Sequence, residues 1–176
     1  YTLITEDDQY YLAGAGINVD FSTPPIQMGF DFNLYGIIFD NFYLNSKGSV
    51  SFDNYTIDWT PEEFPETTDE VAQIAGFWAD SDYRLSGDIY YKVTDEEVFI
   101  NFIDVGFYNM GEDLYNSYQI VITSEESTHL PDGANTQMCY LDMNWAHGDV
   151  GGSSGCCGDS PATVGIDAAP DFGPFL

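Results

Sequence analysis

The sequence predicts an all-β fold, an antiparallel sandwich or barrel-like domain with one short helix, and three observations predict it. Helical periodicity is almost absent, and short runs of alternating apolar and polar residues take its place. Turn-forming clusters of Gly, Asn, Asp and Ser separate these runs at hairpin spacing. A 44% hydrophobic fraction with 13 Phe, 13 Tyr and 3 Trp supplies core material for one domain of 176 residues. A globule of this size buries about 70% of the surface of its unfolded chain.

The elements follow in order. "GIIFDNFYL" (36–44) and "GSVSF" (48–52) flank Asn45-Ser46-Lys47-Gly48, a tight hairpin in which Gly48 is free to take positive φ. "PETTDEVAQI" (65–74) is the one helical candidate, with Thr67 or Thr68 as cap and Asp69 and Glu70 in its first turn. "GDIYYKV" (87–93) and "VFINFIDVGF" (98–107) flank "TDEE" and form a second hairpin. "YNSYQIVITS" (115–124) and "ANTQMCYLDMNW" (134–145) flank a loop with the turn Pro131-Asp132-Gly133. In that last strand Met138, Tyr140 and Asp142 are expected on one face, with Cys139, Leu141 and Met143 on the other. A Gly- and Ser-rich loop (148–160), a short strand (162–167) and an extended end complete the chain. About nine or ten strands result, and no internal repeat is visible.

Charge narrows the function. There are 30 Asp and Glu against 3 Lys and Arg, a formal charge of −27. Lys47, Arg84 and Lys92 cannot build a basic patch, so nucleic acid and anionic membrane surfaces are excluded as partners. Self-repulsion calls for counterions, bound cations or salt, above all if copies pack together. No apolar run approaches the roughly 20 residues of a membrane helix, so direct membrane insertion is not expected. Without an initiator Met or signal-peptide pattern, the chain reads as a processed or excised piece.

Cys139 is expected to pair with Cys156 or Cys157 in an oxidising compartment, leaving one thiol over. Zinc is the weaker reading, because no C-x-x-C spacing or His pair accompanies them. Asn54-Tyr55-Thr56 matches the acceptor pattern for N-glycosylation.

"IAGFWADSDYR" poses the chemical question. Asp80 and Asp82 share one strand face about 6.5–7 Å apart. Glycosidase acids need about 5–9 Å but must oppose each other across the sugar, which strand neighbours do not. As hard oxygen ligands they suit Ca²⁺, with Asp88 or Asp142 completing the shell. The preferred reading is structural: Arg84 returns to pair with Asp80 or Asp82 and closes a corner. His129 and His147 are expected at the surface, since no G-x-S-x-G elbow is present. Most Tyr and Phe are expected in the core, and an exposed aromatic patch is the functional alternative.

The order "PPIQMGFDFNLYG", "FYLNSKGSVSF", "IAGFWADSDYR", "GDIYY" and "MNWAHGD … DSPATVGIDAA" resembles the nidogen-type extracellular domain, NIDO. "FWADSDYR" followed by "GDIYY" is its most specific part. The resemblance divides the chain into an N-terminal segment or strand (1–25), a NIDO-like β-domain (26–170) and an apolar C-terminal tail (171–176). It implies a secreted or cell-surface module without enzymatic activity, used for adhesion or assembly. A self-assembling subunit of a surface filament or matrix fits, with Phe172, Phe175 and Leu176 docking on the next copy, strand addition being one mode of docking. Other extracellular proteins or glycans are the further partners. A Ca²⁺-dependent module binding carbohydrate or another ligand is the alternative.

Overall fold

A computed structural model of the chain describes residues 10–13, 20–65, 71–108, 114–148 and 160–169, with backbone alone for the first of these stretches. Eleven strands are found among them. They are β1 (Tyr10–Ala13), β2 (Ile26–Leu34), β3 (Ile37–Asn45), β4 (Ser49–Ser51), β5 (Gln73–Trp78) and β6 (Ser81–Asp82). β7 (Asp88–Val93), β8 (Glu97–Phe107), β9 (Asn116–Thr123), β10 (Thr136–Met143) and β11 (Thr163–Asp167) follow. One sheet runs β1-β7-β8-β9-β10, with β6 paired to β8; the other runs β11-β5-β4-β3-β2. Every pairing is antiparallel, and the two sheets face each other across one apolar core.

Local chemistry explains the turns. β2 and β3 meet through Tyr35-Gly36, both at positive φ (49° and 93°), which matches the right-handed twist of a two-residue hairpin. Asn45 pairs with Ser49 across Ser46-Lys47-Gly48, and Gly48 takes φ +93° at the last loop position, as its sequence predicts. This turn lies inside the protein rather than at its rim: Asn45, Ser46, Lys47 and Ser49 are all buried. A Cβ on Gly48 would stand 2.0 Å from the Phe77 carbonyl oxygen, so no larger residue fits.

The core draws on both inner faces. Met28, Phe32, Leu34, Phe42, Leu44 and Val50 come from one sheet, and Ile89, Ile100, Phe102, Tyr118, Ile120 and Ile122 from the other. Phe102 stacks on Tyr118 with centroids 4.7 Å apart, while Phe77 meets Trp145 edge-on at 5.0 Å. β5 is buried along its whole length, which accounts for its unbroken apolar run.

Two expectations change. Gln73 and Ile74, the end of the expected helix, open β5; residues 66–70 of that segment lie outside the described residues. The alternation expected along 134–145 breaks at a bulge: Tyr140 pairs with Tyr118 but Asp142 with Ser117, leaving Leu141 as the extra residue. The N-terminal segment joins the sheets as well, since β1 pairs with β7 and Ser22 bridges to Asn45.

Candidate functional site

The corner begins where β5 ends. Between Trp78 and Ser81 the chain leaves one sheet and enters the other, so Ala79-Asp80 is the crossing point. Backbone bonds hold it: Ala79 N–H donates to the Lys47 carbonyl (3.0 Å), and Tyr108 N–H to the Asp80 carbonyl (2.7 Å). Gly148 presses against Asp80, for a Cβ there would lie 2.5 Å from the Asp80 Cβ.

Asp80 does not meet Arg84. It accepts from Lys47 Nζ at 2.8 Å, and the same ammonium contacts Asp20 Oδ1 at 2.8 Å and donates to the Ser81 carbonyl at 2.9 Å. Lys47 is 1% exposed, and these three acceptors match the three donors of an ammonium. Asp80 is itself buried, and its carboxyl is raised above the ordinary value of 3.8: burial is the largest cause, and Lys47 opposes it.

Asp82 is the partner of Arg84. The guanidinium bonds it through Nε (2.9 and 3.0 Å) and Nη2 (2.5 Å), and the Arg84 backbone N–H donates to Asp82 Oδ1 (2.9 Å). That hydrogen bonding raises the Arg84 guanidinium further above its usual value. Arg84 also lies over the Tyr108 ring at 5.1 Å from its centroid. Between the two ion pairs, the buried Tyr83 hydroxyl donates to the Ser46 carbonyl at 2.7 Å, and burial pushes its ionisation far up. The corner thus closes through two ion pairs, where sequence reasoning names Arg84 alone.

The expected cation set is not assembled. Among the described residues no group of three or more His, Cys, Asp or Glu side chains is placed to hold a metal ion. Asp80 and Asp82 are held by Lys47 and Arg84, Asp88 lies on β7 and Asp142 is exposed on β10. Asp80 and Asp82 are neighbours at the chain crossing, each turned to its own cation. His129 is exposed, but His147 is buried, contrary to its expected surface position, and its Nδ1 has no hydrogen-bond partner among the described residues.

Cys139 is half-buried on β10 and makes no disulfide among the described residues. Its expected partners Cys156 and Cys157 lie outside the described residues, as do Phe172, Phe175 and Leu176. Asn54 is exposed. Sequence reasoning missed Lys47 and Asp20; the signal available was the rarity of basic residues in a chain with only 3 of them.

A buried ammonium inside a β3–β4 turn, a two-acid sheet crossing and the Tyr83 tether form one unit with the motifs read from sequence. The family model described as NIDO related matches residues 1–172. The chain belongs to the NIDO-related family. This NIDO-related chain is also 27% identical to alpha-tectorin of Homo sapiens over 154 residues, covering 76% of this chain and 7% of that protein. Alpha-tectorin of Mus musculus gives the same identity and coverage. The chain therefore spans about 7% of the length of these relatives. No solved structure gives a significant match. Among its described residues, no helix of the NIDO-related chain is long and apolar enough to cross a membrane.

Proposed function

We propose that this chain is a non-enzymatic structural and adhesion module working outside the cell. In the finer form of this reading it is a subunit of a surface filament or matrix that packs against copies of itself or against other extracellular proteins or glycans. The observation that carries it is the use of both corner carboxylates as internal fasteners. Asp80 and Asp82, the acids best placed by sequence for chemistry, each hold a basic residue. Family membership over residues 1–172 and the similarity to alpha-tectorin support the same reading. So does β10, the last strand of its sheet, which leaves Tyr140, Leu141 and Met143 exposed along an edge.

With a charge of −27, association depends on screening. Light scattering after size exclusion, over rising NaCl, is expected to show oligomers at high ionic strength and monomers at low. A chain ending at residue 169 is expected to stay monomeric. A chain that stays monomeric at every salt concentration and captures no matrix protein or glycan sinks the assembly reading. A hydrolytic turnover that disappears in a folded Asp82→Asn variant sinks the non-enzymatic one.

A further inference from the structure

Residues 53–65 follow β4 and carry three outward apolar side chains in alternation: Tyr55 (55% exposed), Ile57 (41%) and Trp59 (47%). The segment is held from several sides. Thr56 N–H donates to Asn45 Oδ1 (3.3 Å), Asp58 N–H to Thr56 Oγ1 (3.2 Å) and Thr60 N–H to Asp58 Oδ1 (2.8 Å). Trp78 Nε1 donates to the Asp58 carbonyl (2.9 Å), and Thr163 Oγ1 to that of Glu62 (2.6 Å). Tyr43 supports Tyr55 with ring centroids 6.4 Å apart. A segment fixed this firmly has apolar side chains to spare for a contact outside the fold.

The groove beside this ridge, about 510 Å³, is lined by Asn54 through Trp59 and by Val71. That size falls within the roughly 300–1,000 Å³ of small-ligand sites. Asn54 opens the acceptor triplet Asn54-Tyr55-Thr56. Its Oδ1 accepts the Tyr55 N–H (3.0 Å), and its Nδ2 makes no hydrogen bond among the described residues. The nitrogen that glycosylation modifies is thus free on an exposed residue at the groove.

We infer that Asn54 carries an N-linked glycan whose first sugars lie on the Tyr55–Ile57–Trp59 ridge. Asp53, Asp58, Glu62 and Glu63 surround the ridge in sequence, and this local cluster of carboxylates disfavours an acidic partner surface there, whereas a neutral sugar is not repelled. Sugars present C–H faces to aromatic rings and hydroxyls to water, so the glycan covers apolar surface and keeps the segment soluble. In the transfer, Asn54 Nδ2 attacks the anomeric carbon of a polyprenyl-pyrophosphate-linked oligosaccharide. The C–N bond forms as the bond to the pyrophosphate oxygen breaks, the amide proton passes to a base of the transferase, and the lipid pyrophosphate departs.

The inference rests on the extracellular reading only for access to that transferase, and the experiment removes this dependence by supplying a secretion signal in an N-glycosylating host. Digestion with peptide-N-glycosidase in heavy-oxygen water, followed by mass spectrometry, is expected to label position 54 in the secreted wild type and not in Asn54→Gln. Trp78 and Trp145 are buried, so quenching of tryptophan fluorescence by acrylamide reports mainly on Trp59. The glycan is expected to reduce that quenching and to raise Tm by about 2–4 °C over Asn54→Gln. Bacterial, unglycosylated wild type serves as the control for the Gln substitution and is expected to melt with Asn54→Gln. In Trp59→Ala the site stays occupied while the Tm gain shrinks. An unoccupied Asn54 in folded, secreted protein overturns the inference. So does an occupied Asn54 with unchanged Tm and quenching, which would leave the ridge bare for a protein partner.

Discussion

Lys47 and Asp80, 33 residues apart in sequence, meet in the interior with Nζ 2.8 Å from Oδ1. The pair joins the β3–β4 turn to the point where the chain passes between sheets. It is an asymmetric pair. Asp80 is raised by burial in spite of the adjacent ammonium, whereas Lys47 has two further acceptors, Asp20 and the Ser81 carbonyl.

That asymmetry predicts unequal substitutions. Lys47→Met leaves the Asp80 carboxylate buried without a cation and is expected to cost about 3–5 kcal/mol at neutral pH. Asp80→Asn keeps an oxygen acceptor for Lys47 and removes the charge that burial disfavours, so its cost is expected to be well below that. Urea unfolding of both variants checks the order; equal losses contradict the asymmetry.

The pH dependence follows with a definite sign. Asp80 has a folded value above its unfolded 3.8, so the folded state holds the proton more tightly. Its contribution to stability is fully present below 3.8 and is lost as pH rises through the raised folded value. Stability of the wild type minus that of Asp80→Asn is therefore expected to fall as pH rises from 3.8 through the raised folded value. The subtraction cancels the general repulsion of the other carboxylates. A difference that rises over this range contradicts the assignment.

Glycines separate turn strain from interior contact. Gly48→Ala meets both a positive φ and the Phe77 carbonyl at 2.0 Å, and is expected to prevent folding or to lower Tm severely. Gly133 has φ +84° but nothing within 4 Å of an added Cβ, so Gly133→Ala is expected to cost only about 1–2 kcal/mol of backbone strain. Thermal melts followed by near-UV circular dichroism distinguish the two; similar melts would mean that the Gly48 turn is not held against β5.

At the second ion pair, Arg84→Lys keeps the charge but loses the fork that grips Asp82 through two nitrogens. It is expected to lower stability in the same direction as Arg84→Ala and by a smaller amount. Arg84→Ala also removes the contact with Tyr108, so a Tyr108→Leu background is expected to reduce its effect. A double-mutant cycle measures this coupling, and strict additivity rules it out.

Much of the fold was legible because strands and hairpin turns obey short-range rules. The runs at 36–44, 48–52, 87–93, 98–107, 115–124 and 162–167 correspond to β3, β4, β7, β8, β9 and β11 within a residue or two. The end of the expected helix was misread because Gln73 and Ile74 are held by pairing with β4 and β11, an influence outside any local window. The bulge at Leu141 was hidden for the same reason: it is defined by register against β9. At the corner, the Asp82–Arg84 contact joins residues two apart and could be foreseen as one of two choices. The choice itself was not legible, because what engages Asp80 is the distant Lys47.

Alternating side chains, hairpin turns and a heavy excess of carboxylates are properties of neighbouring residues, and the amino-acid order alone was enough to specify them. Which charges are buried, and with whom, was decided only by tertiary structure. Asp20, Lys47 and Asp80 come from three separate stretches, and desolvation depends on what the rest of the fold lays over them. Composition allowed only 3 basic residues among 30 acids. Folding alone determined that one of those three would be enclosed between two carboxylates.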